Sequence, residues 1–209
     1  MSEVLLIEPH YMGNVAYFAL ISKYDKVLLE HHQHFIKQTY RNRTTILGAN
    51  GSLDLIVPVN FGNRSPFHEV TIDYSEPWPK RHLRALQSSY AKSPFFDHYY
   101  PLFEATLNKK HHLLSELSTE TMTLCLKCLQ IVRAFEFSEN YVDPVEFPIQ
   151  DYRDVVHPKK DFLKLFQTNL EVYFQNFGKE FVPGLSILDL LFSLGPEAGS
   201  YLARQTLID

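Results

Sequence analysis

The chain has 209 residues and a formal net charge of −4, and its apolar fraction of 45% is enough for one ordinary hydrophobic core. The mild negative charge, with no long basic run, excludes strong electrostatic binding to nucleic acid or to an anionic bilayer. No stretch approaches the roughly 20 apolar residues needed to span a membrane, and MSEVLLIEPH has neither the basic nor the apolar region of a leader. The expectation is a cytoplasmic protein with no stable membrane insertion.

Residues 4–7 are a short apolar run stopped by Pro9 and predict a buried first strand. After Gly13, residues 14–22 carry Val15, Phe18, Ala19 and Ile21 at helical spacing, with Asn14 as N-cap. Residues 26–29 predict a second buried strand. Strand, helix, strand in the first thirty residues implies a β-α-β start and a partly parallel sheet. Residues 43–47 and 53–59 flank Ala49-Asn50-Gly51, a strong hairpin signal. A further strand is expected at 68–72, then helices at 79–90, 95–107 and 113–135. Residues 143–160 hold Pro144, Pro148 and Pro158 and predict a surface excursion. An amphipathic segment at 161–177 fits either a strand or a short helix. A last apolar helix spans 186–194, capped by Ser186 and stopped by Gly195-Pro196. The fold class expected is α/β: one domain over 1–209, with a β-α-β start, a mixed sheet including a hairpin, and a mainly helical C-terminal half.

The common phosphate-loop, dinucleotide, zinc-protease and α/β-hydrolase signatures are absent, so no motif singles out a cofactor. Cys125 and Cys128 lie in a Leu-rich helical pattern with no second pair, and are expected to be reduced and buried. The chemistry-bearing residues gather elsewhere. Glu8-Pro9-His10-Tyr11 falls where the first strand ends, the edge at which open α/β sheets bind ligands. His10 there suits an acid or base, and N–H groups around Gly13 suit an anion. After the second strand come Glu30-His31-His32-Gln33-His34, then Lys37-Gln38 and Tyr40-Arg41-Asn42-Arg43. If that strand continues, Glu30, His32 and His34 share a face and resemble zinc ligands in type. Histidine clusters without metal are commoner, and no metal is assigned. Arg41 and Arg43 offer planar forks for phosphate or carboxylate. Parallel neighbouring strands would bring His10, Glu30, Lys37, Arg41 and Arg43 to one pocket. Trp78, Lys80, Arg81, His82 and Arg84 make a basic helix start, which opposes the helix dipole unless an acidic partner or ligand answers it. Residues 93–100 are rich in aromatics that suit either a core corner or the wall of a sugar or base site. Asp189 inside an apolar helix needs a partner, and an Arg or Lys is expected.

Four blocks in register resemble the WbqC-like family. EPHYMGNVAYFALI is similar to its opening, KQTYRNR to its Lys…Asn-Arg block, WPKRHLRALQSSYAKSPFF to its Trp…His…Tyr…Pro block, and SILDLLFSLGPEAGSYL to its closing helix. EHHQHFIKQTYRNR and DYRDVVHPK resemble the Bacteroidetes-type branch. This chain departs from the pattern at Glu8, at Met12 and at Glu30-His31, where many members carry Gln, Pro and an Asp pair. The resemblance implies a role in surface polysaccharide (O-antigen-like) biosynthesis. The implied activity is transfer of an aminoacyl or acyl group to an amino sugar or sugar nucleotide. On that reading His10, Glu30, Lys37 and His82 serve the chemistry. Tyr11, Gln38, Tyr40, Arg41, Asn42, Arg43 and Trp78 hold a sugar nucleotide or phosphorylated intermediate. The alternatives are a non-catalytic scaffold of envelope assembly and a divergent nucleotidyltransferase-like enzyme.

Overall fold

The computed structural model describes residues 4–143, 149–166 and 170–208. The first unit forms as the hydrophobic pattern dictates. Strand β1 (Val4–Ile7) leads through helix α1 (Val15–Lys23) to strand β2 (Lys26–Leu29), and the two strands pair in parallel with Leu6 opposite Leu28. Asn14 is the N-cap: its side-chain oxygen accepts from the Tyr17 N–H at 2.9 Å. Every residue from 15 to 21 is buried. Over those two turns the helix has no solvent face, and it packs against helices at the far end of the chain, α5 (Ile187–Leu194) and α6 (Ala198–Arg204).

Among the described residues the central sheet has four strands, all parallel, in the order β7-β2-β1-β8, with β7 at Ala134–Phe137 and β8 at Ile149–Asp151. The chain moves outward from β1 to β2 to β7 and then returns to the other flank of β1. The order therefore reverses at β1. The hairpin forms as expected from β3 (Arg43–Gly48) and β4 (Gly51–Ile56), but it stands as its own antiparallel pair outside the parallel sheet. A second small pair joins β5 (Val59–Asn60) to β6 (Thr71–Ile72), so only the end of the strand expected at 68–72 is extended. Residues Phe67–Glu69 form a 3-10 turn instead.

Helices α2 (Trp78–Tyr90), α3 (Phe96–Asn108) and α5 match their expected spans. Helix α4 (Leu114–Cys128) is shorter than the 113–135 expected. Gln130 turns into the left-handed region at φ 58°, and the apolar residues beyond it become β7, the partner of β2. Periodicity did not separate the two because a short apolar run suits a helix or a strand equally. The excursion expected at 143–160 contains β8, a short, largely exposed edge strand that its Pro and charged surroundings hide; residues 144–148 lie outside the described residues. Within 161–177, Phe162–Leu165 form a 3-10 turn, and residues 167–169 also lie outside. Cys125 and Cys128 are buried free thiols, and burial pushes both thiol pKa values up, that of Cys128 to about 11. Residues 93–100 are a core corner: Phe96 stacks on Tyr100 at 4.6 Å and meets Phe192 at 5.2 Å.

Gly195 closes α5 with φ 56° and ψ −125°, a conformation that side-chain-bearing residues avoid, and a Cβ there would lie 2.5 Å from the Phe95 ring. Gly195→Ala is expected to cost about 2–4 kcal/mol from backbone strain plus overpacking. At this chain size that lowers the thermal midpoint by roughly 5–10 °C, which calorimetry checks.

Candidate functional site

Because all four strands of the sheet run the same way, their carboxyl ends open on one edge. Glu8 and His10 follow β1, Glu30 follows β2, Ser138 follows β7, and Arg153 and Asp154 follow β8. Ligands of open parallel sheets bind at this edge, next to the strand where the order reverses.

At the centre is a carboxylate–imidazole pair. His10 Nε2 lies 3.1 Å from Glu8 Oε1, and both side chains are nearly fully buried. Glu8 Oε2 accepts from the Asp154 N–H at 3.1 Å, and the Tyr17 hydroxyl donates to the Glu8 carbonyl at 3.1 Å. The His10 ring stacks on Tyr17 at 4.3 Å, and the Cβ that any other residue would add at Gly13 would come within 2.6 Å of that ring. Burial alone would raise the Glu8 pKa; the hydrogen bond and charge of His10 and the charge of Arg41 outweigh it, so Glu8 is held below the ordinary carboxylate value. With Nε2 committed to a carboxylate, the neutral imidazole keeps its lone pair on Nδ1, and Nδ1 is buried without a hydrogen-bond partner among the described residues. Two residues beside the pair, Met12 and Asp154, are left-handed, at φ 45° and 57°. Such strain, costly for Met, concentrates at functional sites.

Around the pair runs a charged network. The Arg41 side chain is 1% exposed, and its Nη2 donates to Gln33 Oε1 at 2.6 Å and to Asp154 Oδ1 at 3.2 Å. Gln33 Nε2 donates to Asp154 Oδ2 at 2.8 Å. Glu30 is fully buried; it accepts from the His32 N–H, the Ser138 hydroxyl and the Val142 N–H, and meets Arg153 Nη1 at 3.5 Å. Arg153 also forks onto Asp151 at 2.7 Å and stacks over Tyr141. A cavity of about 470 Å³ lined by His32, Gln33, His34, Ile36 and Tyr141 opens beside this network. It is within the range of small-molecule sites. Another of about 470 Å³, lined by Lys23, Tyr24, Gln150 and Tyr152 among others, is flanked by the entry to β2.

The structure brings His10, Glu30 and Arg41 to the one edge but spreads the other sequence candidates. Lys37 and Gln38 are exposed on the loop before Arg41, with the Lys37 ammonium 4.9 Å over the Phe61 ring. Tyr40 is buried, with its ring 5.6 Å from His10. Arg43 starts β3 and pairs with Asp54 across the hairpin, at 3.1 Å, so the single pocket of five residues does not form. Asn42 is buried and donates to the Val57 carbonyl at 2.9 Å. Tyr11, Trp78 and His82 form a second buried group: the Tyr11 hydroxyl meets His82 Nδ1 at 3.0 Å, and Trp78 lies 5.0 Å from His82.

Three further expectations need correction. The N–H groups at the start of α1 are already engaged, Val15 by the Leu185 carbonyl and Tyr17 by Asn14, which leaves little there for an anion. Among the described residues Asp189 has no Arg or Lys partner: it accepts from the Tyr173 hydroxyl at 2.7 Å and Gln175 Nε2 at 3.0 Å, and burial raises its pKa. Glu30, His32 and His34 do not converge, because the strand ends at Leu29 and His34 is exposed. At the basic start of α2, Arg81 is answered by Glu76, while Lys80 and Arg84 face solvent.

Glu8, Gln33, Arg153 and Asp154 are the site residues that sequence reasoning did not select. Glu8-Pro9-His10 and the Asp-Tyr-Arg-Asp loop stood out as motifs, but only the pairing of β8 with β1 puts them together.

No solved structure matches the chain significantly. It is 26% identical over 232 residues to "Uncharacterized protein Rv1507c" of Mycobacterium tuberculosis (strain ATCC 25618 / H37Rv), across 97% of this chain and 98% of that one. Among the described residues no helix is long and apolar enough to cross a membrane. The WbqC-like protein family model matches residues 8–148 and 159–201, which take in the Glu8–His10 pair, Glu30 and Arg41 and leave out Arg153 and Asp154. Matched over most of its length, this chain belongs to the WbqC-like protein family.

Proposed function

We propose that this protein is a group-transfer enzyme of surface polysaccharide assembly. It would move an acyl or aminoacyl group onto an amino sugar, with a sugar nucleotide or related phosphorylated molecule as substrate. The observation that carries the reading is the buried Glu8–His10 pair at the carboxyl edge of the parallel sheet, with Nδ1 unpartnered among the described residues. A carboxylate that fixes the imidazole tautomer and steadies the imidazolium is the arrangement a general base needs. His10 Nδ1 takes the proton of the accepting amine or hydroxyl as that atom attacks the carbonyl of the acyl donor; the bond from that carbonyl to the donor's leaving group then breaks, the imidazolium returns the proton to the departing group, and Glu8 balances the charge that His10 carries in between. Arg41 and Arg153 hold the carboxylates of this edge in place. Lys37 and Gln38, exposed on the neighbouring loop, meet the phosphate. His82, with both nitrogens engaged, acts from behind Tyr11 as a positioning residue.

The test is thermal stabilisation by a panel of sugar nucleotides, ATP and acyl-CoA thioesters, followed by transfer assays with the ligand that binds. A ligand of the native state raises its stability by mass action. His10→Ala is expected to keep that stabilisation and lose turnover by about 10²–10⁴-fold. Full turnover in His10→Ala removes the base. No stabilisation by any ligand class turns the reading to the scaffold role.

A further inference from the structure

We infer that His31, His32 and His68 form a binding site for one divalent transition metal ion of the zinc type. This is independent of the Glu8–His10 chemistry. One ring nitrogen from each of the three lies within 4.8 Å of those of the other two, and the ring centroids are 4.6–5.1 Å apart. Tetrahedral zinc with bonds of about 2.0–2.1 Å needs its nitrogens roughly 3.4 Å apart, so closure takes a movement of about 1 Å or a little more.

The backbone fixes the three in place. His68 N–H donates to the His31 carbonyl at 3.1 Å, Phe67 N–H to the Gln33 carbonyl at 3.0 Å, and Phe35 N–H to the Ser65 carbonyl at 2.9 Å. The loop after β2 is thus zipped to the segment that carries His68. Each ring also has one nitrogen on a backbone carbonyl. His31 Nε2 and His32 Nε2 lie 3.1 and 3.0 Å from the Ser138 oxygen, and His68 Nδ1 lies 3.0 Å from the His31 oxygen. A carbonyl can only accept, so those nitrogens carry the protons and the other nitrogen of each neutral ring keeps a lone pair. A metal bound with these carbonyl contacts kept would take His31 Nδ1, His32 Nδ1 and His68 Nε2, leaving each N–H on its carbonyl as in metal-binding histidines.

The cluster is reachable from solvent. His31 and His68 line an open cavity of about 540 Å³, and His32 lines the cavity at the Arg153 edge. All three are partly exposed. Three imidazoles with an open face match the three-ligand zinc sites that keep a position for water or a substrate atom, rather than closed four-ligand structural sites. Imidazole donors favour zinc, copper, nickel and cobalt over magnesium or calcium.

The experiment uses the full chain without a histidine tag, stripped with chelator. Zn²⁺ is titrated by calorimetry and Co²⁺ by its visible absorption, against His32→Ala, His68→Ala and the exposed His98→Ala as control. The expected result is one metal per chain, with affinity at least about 100-fold weaker in His32→Ala and His68→Ala and unchanged in His98→Ala. Cobalt absorption should report nitrogen ligands in low coordination number. Circular dichroism shows whether each variant is folded, and His68→Gln replaces any that is not. No stoichiometric binding, or binding unchanged in folded His32 and His68 variants, overturns the site. Because the readout is metal occupancy, failure of the transfer reaction leaves it unaffected.

Discussion

Arg41→Ala is expected to destabilise the fold by about 3–5 kcal/mol, the sum of the lost ion pair and hydrogen bonds and of the cavity left by a fully buried side chain. Arg41 is the largest fully buried side chain in the described structure. Its guanidinium reaches the Gln33 amide, the Asp154 carboxylate and, at 3.4 Å, the His34 carbonyl. Through Asp154 it is joined to Glu8, whose carboxylate holds the Asp154 N–H. Removing the cation leaves two carboxylates near one another with less positive charge to balance them, and an empty volume where the stem lay. Urea denaturation should show a midpoint lowered by about 2 M with the slope unchanged. Arg41→Lys keeps the charge but not the planar fork, so it should recover only part of the loss. A folded Arg41→Ala protein within about 1 kcal/mol of the wild type would mean that the network is assembled without its cation, and that Arg41 is held for another reason.

The β-α-β start and the hairpin were legible because local rules fix them: Asn14 caps, Pro9 stops, and Asn50-Gly51 turns. The sheet was not. β7 continues an apolar run that began as a helix, and β8 is a three-residue strand in a segment of Pro and charge. Each becomes a strand only by pairing, with β2 and β1 respectively, and pairing over more than a hundred residues leaves no periodic trace. The site shared that fate. His10, Glu30 and Arg41 were readable as chemistry next to strand ends, whereas Asp154 and Arg153 depend on β8. Arg43 shows the converse. As a sequence neighbour of Arg41 it suggested a double fork, but strand alternation turns it toward Asp54 on the hairpin. The shared face expected of Glu30, His32 and His34 depended on a strand that ends at Leu29. Period-two spacing selected His32 and His34, whereas a tight loop exposes His34 and a 3-10 turn brings His68 from 36 residues away, to join the adjacent His31 and His32.

Lowering the pH from 7 to 4 is expected to remove about 3 kcal/mol of stability through His82 alone. The His82 imidazole is 4% exposed, and burial lowers its pKa from 6.5 to about 4, with the bond to the Ile56 carbonyl opposing the shift in part. Its Nε2 faces that carbonyl at 3.2 Å and so carries the proton, while Nδ1 accepts from the Tyr11 hydroxyl at 3.0 Å. Burial also keeps Tyr11 neutral, by raising its pKa well above the ordinary value. The pair is complete only with a neutral ring. The unfolded chain protonates this histidine near pH 6.5 and the folded chain near pH 4, so between those values the unfolded state binds more protons and stability falls as pH falls. Above pH 6.5 the ring is neutral in both states, and below 4 it is protonated in both; the contribution is then constant. A shift of about 2.5 units corresponds to roughly 3 kcal/mol. Chemical denaturation across pH 4–7 should therefore give a slope approaching 1.4 kcal/mol per pH unit more in the wild type than in His82→Asn, which is less stable at pH 7 but flatter. Equal slopes would mean that the ring charges inside the fold at its ordinary pH. Since His82 ties α2 and the end of β4 to Tyr11, one residue from His10, its protonation loosens the wall behind the Glu8–His10 pair before it unfolds the sheet. Loss of ligand stabilisation should accordingly precede global unfolding as the pH is lowered, and His82→Asn should show that loss already at neutral pH.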